Sequence, residues 1–209
     1  MRVVLRPNDK PNIVVICGDG RTDRGLVKRI AIKLNGQKPM PTKIWIYDSQ
    51  LISGISPSAL GLRAFRLAEY LAKHRYFVHT DCFVIIIDRE HLENIPRHIE
   101  SNILKKALPN IRQKNKSTAE INLDKKKIMI GVCGEERRIE ENLAELAEAV
   151  LNLPPNTLPR NKKLKSILRT KYGIDYYDLI EKANMDLIIK HLKCIGKILI
   201  SIHNTLHRS

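Results

Sequence analysis

Residues 11–31 read PNIVVICGDGRTDRGLVKRIA. An apolar run over 12–17 (NIVVIC) meets Gly18-Asp19-Gly20, passes Thr22-Asp23, and enters a basic run where Leu26, Ile30 and Leu34 recur every fourth residue. Unbroken apolarity over so short a run marks a strand covered on both faces. The four-residue recurrence marks a helix with one buried stripe. The stretch therefore predicts strand, glycine turn, helix. One Asp is enough to order such a turn, so the second calls for another reason.

Working outward, apolar runs recur at 43–47 (KIWIY), 82–87 (CFVIII) and 127–132 (KIMIGV). Helical patterns lie between them. One covers 58–74, with Leu60, Ala64, Leu67, Ala68 and Leu71 on a face and Ser56-Pro57-Ser58 as a start signal. A weaker one covers 95–107. Strands alternating with helices predict right-handed βαβ units and a mainly parallel four-stranded sheet. Residues 109–126 (PNIRQKNKSTAEINLDKK) read as an exposed loop before the fourth strand. A helix is expected over 136–151, with Ile139, Leu143, Leu146 and Val150 inward, and Pro154-Pro155 ends it. Residues 156–173 are rich in Lys and Arg over a stripe of Leu164, Ile167 and Leu168, and 175–183 and 185–206 complete a helical tail with a break near Gly196. The expected division is an α/β domain over 1–152 and a basic helical extension over 153–209 packed on it.

The chain has 209 residues, 43% of them hydrophobic but only 5% aromatic, so its core must be built mostly of Ile, Leu and Val. A net charge of +15 favours a polyanionic partner, DNA or RNA. A Lys-rich thermophile surface gives the same balance. Cys17, Cys82, Cys133 and Cys194 form no C-x-x-C pair, and buried free thiols are expected. No segment has the length of a membrane span, so a cytoplasmic protein without membrane contact is expected. No Walker A lysine follows the first glycine turn, and no G-x-S-x-G elbow occurs.

Functional groups of an open parallel sheet gather beyond the carboxyl ends of its strands. Asp19 and Asp23 follow the first strand, and Asp88 and Glu90 end the third in FVIIIDREH. Residues two apart at a strand end point the same way, so Asp88 and Glu90 face one pocket. If strands one and three are neighbours, Asp19 joins them. Carboxylates so close repel unless a cation intervenes, and hard oxygen donors suit Mg²⁺ or Mn²⁺. Such an ion serves phosphoryl chemistry on a phosphodiester. Other readings stay open: Asp19 as a turn residue, Asp23 as a helix cap, Glu90 as a solvated loop charge, and His91, next to the pair, as an ordinary surface histidine. Arg160, Lys162, Lys163 and Lys165 are candidates for phosphate contact or an ordinary basic face.

DGRTD after an apolar strand, with IIIDRE ending a later one, resembles the TOPRIM fold of topoisomerases, bacterial primases and OLD-family nucleases. ERRIEENLAEL and LPRNKKLKSIL resemble segments of small TOPRIM-like proteins. The resemblance implies a Rossmann-like TOPRIM domain and a metal-dependent nuclease. In it Asp88 and Glu90 would be the main metal ligands, Asp19 a ligand or general base, and Glu140 a second-metal ligand. Three positions depart from the pattern: Asp19 stands for the usual Glu, Glu90 for the usual Asp, and Asn142 for a bulky aromatic. A version that binds nucleic acid without cutting it is the alternative, as is a sensor of a phosphate ligand at the first turn. Glu140 is also readable as one of several solvated helix acids. Topoisomerase activity is not expected, since the chain lacks room for a strand-passage gate.

Overall fold

The computed structural model describes residues 2–18, 20–35, 42–48, 61–93, 95, 101–112, 116–136 and 138–205. Continuous apolar runs become the sheet centre. Strands β2 (Ile13–Cys17), β4 (Cys82–Asp88) and β6 (Lys126–Cys133) pair side by side in parallel, and β3 (Lys43–Ile46) joins β2 on its other side. Two further strands complete the order β1-β3-β2-β4-β6-β5. The sheet thus has six described strands where the sequence predicts four. Strand β1 (Arg2–Val4) is three residues long, too short to show a period. Strand β5 (Thr118–Leu123) pairs antiparallel with β6 in a hairpin turning at Asp124-Lys125. It falls inside the stretch expected to be a loop. Only Ala119 of its residues is fully buried, and its polar positions face outward, so the whole segment reads as hydrophilic.

Alternate residues of the central strands feed two cores. Ile13, Val15 and Cys17 face one side with α1 (Arg21–Asn35) and the carboxyl-terminal helices; Val14 and Ile16 face the other with α2 (Arg63–Lys73) and α3 (Asn102–Ile111). The start signal at 56–58 lies outside the described residues. The third helix begins later than expected, because Ser101 accepts the Leu104 N–H and fixes the start.

The extension belongs to the first core. Helix α4 (Ile139–Val150) is followed by α5 (Lys163–Tyr172), α6 (Tyr176–Lys182), α7 (Met185–His191) and α8 (Lys193–Thr205). The last break falls at Leu192 rather than Gly196. Glycine there lets α8 press on α7, since a Cβ at 196 would stand 3.1 Å from the Ile188 carbonyl oxygen. Helix α8 lies on β6 so closely that a side chain at Gly131 would strike the Cys194 carbonyl. A disulfide, Cys133–Cys194, joins strand to helix across a sequence separation of 61 residues, with Cα atoms 5.2 Å apart. Two of the four expected free thiols are therefore paired. Closing so long a loop contributes about 2–4 kcal/mol by restricting the unfolded chain. No described helix is long and apolar enough to cross a membrane.

Cys17 and Cys82 are buried free thiols, and burial pushes the Cys82 thiol up to about 12. Titration with a thiol reagent at pH 8 should find none reactive in the folded protein. Denaturation without reductant should expose two, and prior reduction four.

Candidate functional site at the carboxyl edge

From β2 the chain winds outward to β3, then returns to β4 on the other side. A crevice opens at such a reversal, beyond the carboxyl ends of β2 and β4. These strands are the first and third of the sequence reading, and they are neighbours. The Gly18 N–H donates to the Ile86 carbonyl at 2.7 Å, and the Gly61 N–H to the Gly18 carbonyl at 2.8 Å. Close approach requires glycine at 18, where a Cβ would meet Ile87 at 2.8 Å. His91 packs against Gly61, whose absent Cβ would stand 3.0 Å from Nδ1. Asp19 lies outside the described residues. Asp23 sits in the first turn of α1, only 1% exposed.

Asp88 ends β4, 5% exposed, and its Oδ1 accepts the Ile139 N–H at 2.9 Å. Glu90 stands in a 3-10 turn, Arg89–Leu92, and its Oε2 accepts from Arg138 Nε at 2.7 Å. The acid-x-acid spacing thus sends both carboxylates to one place, the start of α4. Arg138 is the N-cap residue of that helix, and its side chain accepts nothing. The first amides of a helix need acceptors and carry partial positive charge. Asp88 supplies one from a neighbouring strand. Glu141 supplies more from within, accepting the Arg138 N–H at 3.3 Å and the Glu136 N–H at 2.8 Å. Asn142 accepts the Gly134 N–H at 2.7 Å, which gives this departure from the resembled pattern a structural use.

The bond to Glu90 raises the Arg138 pKa above its ordinary value. Partial desolvation opposes the rise, while the fields of Glu90, Glu140 and Asp88 add to it. Of the four expected metal ligands, Glu90 takes this guanidinium as its ion-pair partner. Their oxygens are the hard donors Mg²⁺ or Mn²⁺ would want. The Ile139 amide takes Asp88 Oδ1 and Arg138 takes Glu90 Oε2, so an ion bound here would share these carboxylates with protein donors. Among the described residues no group of three or more His, Cys, Asp or Glu is placed to hold a metal.

Of the basic candidates, Arg160 is committed inward. Its guanidinium meets Glu145 at 2.7 Å and Asn156 Oδ1 at 2.9 Å. Lys162, Lys163 and Lys165 are exposed.

Two groupings escaped the sequence reading. Glu145 holds Arg160 on one oxygen and faces His191 Nδ1 at 3.4 Å with the other. These residues are 46 apart in sequence, so no local signal joins them. The second lies at the opposite edge of the sheet, where α2 ends. Tyr70 is 49% exposed, Tyr76 37% and Val78 67%. The His74 ring stands between the tyrosines at 5.9 and 4.9 Å, and Arg75 lies over Tyr76 at 5.3 Å. The run KHRYFVH over 73–79 signals this mixture of aromatic and basic residues.

Asp88→Asn keeps an acceptor for the Ile139 amide but removes the charge that faces Arg138 and the helix start. It should destabilise the fold by about 1 kcal/mol, and Asp88→Ala by about 2, measured by urea unfolding. Relief of repulsion in an uncompensated acid cluster would instead make the Asn variant more stable.

No family model matches the chain, and no curated protein or solved structure matches it either, so the site is read from its own chemistry.

Proposed function

We propose that the protein binds nucleic acid and that its carboxyl-edge acids serve the fold rather than cleavage. The observation that carries this reading is where the acid charge goes: Asp88 caps α4, and Glu90 pairs with Arg138. The net charge of +15 supplies the attraction to a polyanion. The exposed Lys162, Lys163 and Lys165 offer phosphate contacts. Tyr70 and Tyr76, beside Arg75, offer faces on which unpaired bases stack. On the TOPRIM resemblance the sheet is a Rossmann-like nucleic-acid platform carrying extra edge strands.

One observation favours a second reading, metal-dependent phosphodiester cleavage. Asp88 and Glu90 bond to the adjacent residues Ile139 and Arg138 at the sheet's carboxyl edge, where the TOPRIM pattern would place a cleavage site.

Fluorescence anisotropy with labelled single strands and duplexes separates these readings from each other. Binding should weaken steeply with salt through counterion release and should be unchanged by EDTA. Reversing Lys162, Lys163 and Lys165 to Glu should flatten the salt slope. Tyr76→Ala should weaken single-strand binding about 5- to 100-fold and leave duplex binding nearly unchanged. Absence of binding at low salt would end the proposal. Cleavage in Mn²⁺ that Asp88→Asn abolishes would establish the second reading instead.

A further inference from the structure

A cleft of about 260 Å³ opens beside β6 where the α7–α8 elbow meets the strand's carboxyl end. Its walls carry Arg89, Lys190, His191 and Lys193, with Asn142 and Glu145 between. Arg89 is the residue between the two acids of DRE, and it is held by the backbone. Its Nε donates to the Gly134 carbonyl at 3.1 Å and its Nη2 to the Lys116 carbonyl at 3.2 Å. Neither acceptor carries a formal charge, so the guanidinium keeps its positive charge uncancelled by these bonds. Asn142 spends its oxygen on the Gly134 N–H, which leaves its Nδ2 as the donor. Glu145 adds little negative charge, because Arg160 meets it at 2.7 Å. Glu135, also on the cleft, is exposed to water. The balance of the walls is positive.

His191 is the second and independent observation. Its Nδ1 faces Glu145 Oε2 at 3.4 Å. A carboxylate only accepts, so Nδ1 carries the hydrogen. Its Nε2 is buried and has no hydrogen-bond partner among the described residues. A buried polar atom left unsatisfied is costly, a sign that something else completes it. The Cys133–Cys194 disulfide then fixes the wall. Cys194 lines the cleft, Lys193 adjoins it, and the link to β6 holds the elbow that presents both lysines and His191.

We propose that this cleft binds a phosphate group, either free or at the end of a phosphomonoester. Phosphate matches the walls. Its oxygens accept from Arg89, Asn142 and the lysines that line the cleft, and His191 closes one side of it. The cleft volume suits a group of this size, with its mouth left for the remainder of a nucleotide or strand end. The proposal is independent of nucleic-acid binding at the lysines of the 162–165 segment or at the tyrosines.

Isothermal titration with inorganic phosphate tests it on the full chain. Wild type should bind saturably with Kd of about 1 mM or tighter. The double change Lys190→Ala/Lys193→Ala, at exposed positions, should weaken binding at least about tenfold, a difference of 1.4 kcal/mol. His191→Phe should do the same while unfolding cooperatively. Lys105→Ala/Lys106→Ala, with equal charge removed at exposed positions outside the cleft, should change nothing. Titrations with a nucleoside monophosphate, and with oligonucleotides bearing a 5′-phosphate or a 5′-hydroxyl, identify the source. A gain from the 5′-phosphate assigns the cleft to strand ends; tight monophosphate binding without that gain assigns it to a free ligand. No saturable phosphate binding, or equal loss in the two lysine pairs, would overturn the proposal.

Discussion

The Asp88 carboxylate accepts the first amide of α4 at 2.9 Å, and the carboxyl edge of the sheet is organised around that bond. A helix start is electropositive and short of acceptors, and a buried carboxylate is short of counter-charge. Each need answers the other. The bond ties the end of β4 to the start of α4. Arg138 then faces Glu90, and Glu141 can reach back to the Glu136 and Arg138 amides. The same anchoring sets Glu145, one turn on, against Arg160 and His191. Charges that would repel if bare are thus distributed over amides and two arginines. A cluster of acids at a strand end does not by itself call for a metal: counter-charge is required, and here protein groups provide it.

The parts of the fold that were legible in the sequence are those with a strong period. Strands β2, β3, β4 and β6 are unbroken apolar runs because both faces are covered, and α1 and α4 show clean stripes. Strand β5 failed because an edge strand buries little; its Lys- and Asn-rich neighbourhood looks like a loop at any window length. Glycine's low helix propensity predicts the break near Gly196, whereas that glycine is used for close packing and the chain turns four residues earlier, at Leu192. The pairing of Cys133 with Cys194 joins a strand end to a helix start across the fold, and no spacing rule reaches that far.

The candidate site was half legible. Asp88 and Glu90 both bond at the start of α4, but Glu90 does so from a 3-10 turn and not from the extended strand end that the spacing predicts. The occupant of that place was not foreseeable, because Arg138 comes from a different element and its approach depends on how α4 docks. Asp19 lies outside the described residues.

Manganese binding to the wild-type protein, followed by electron paramagnetic resonance, tests the central claim most directly. With Arg138 as counter-ion, free Mn²⁺ should titrate without a site tighter than about 1 mM, and Arg138→Gln should create or tighten one by baring Asp88, Glu90 and Glu140. A micromolar site in the wild type that Asp88→Asn removes would contradict the account and return these acids to metal chemistry.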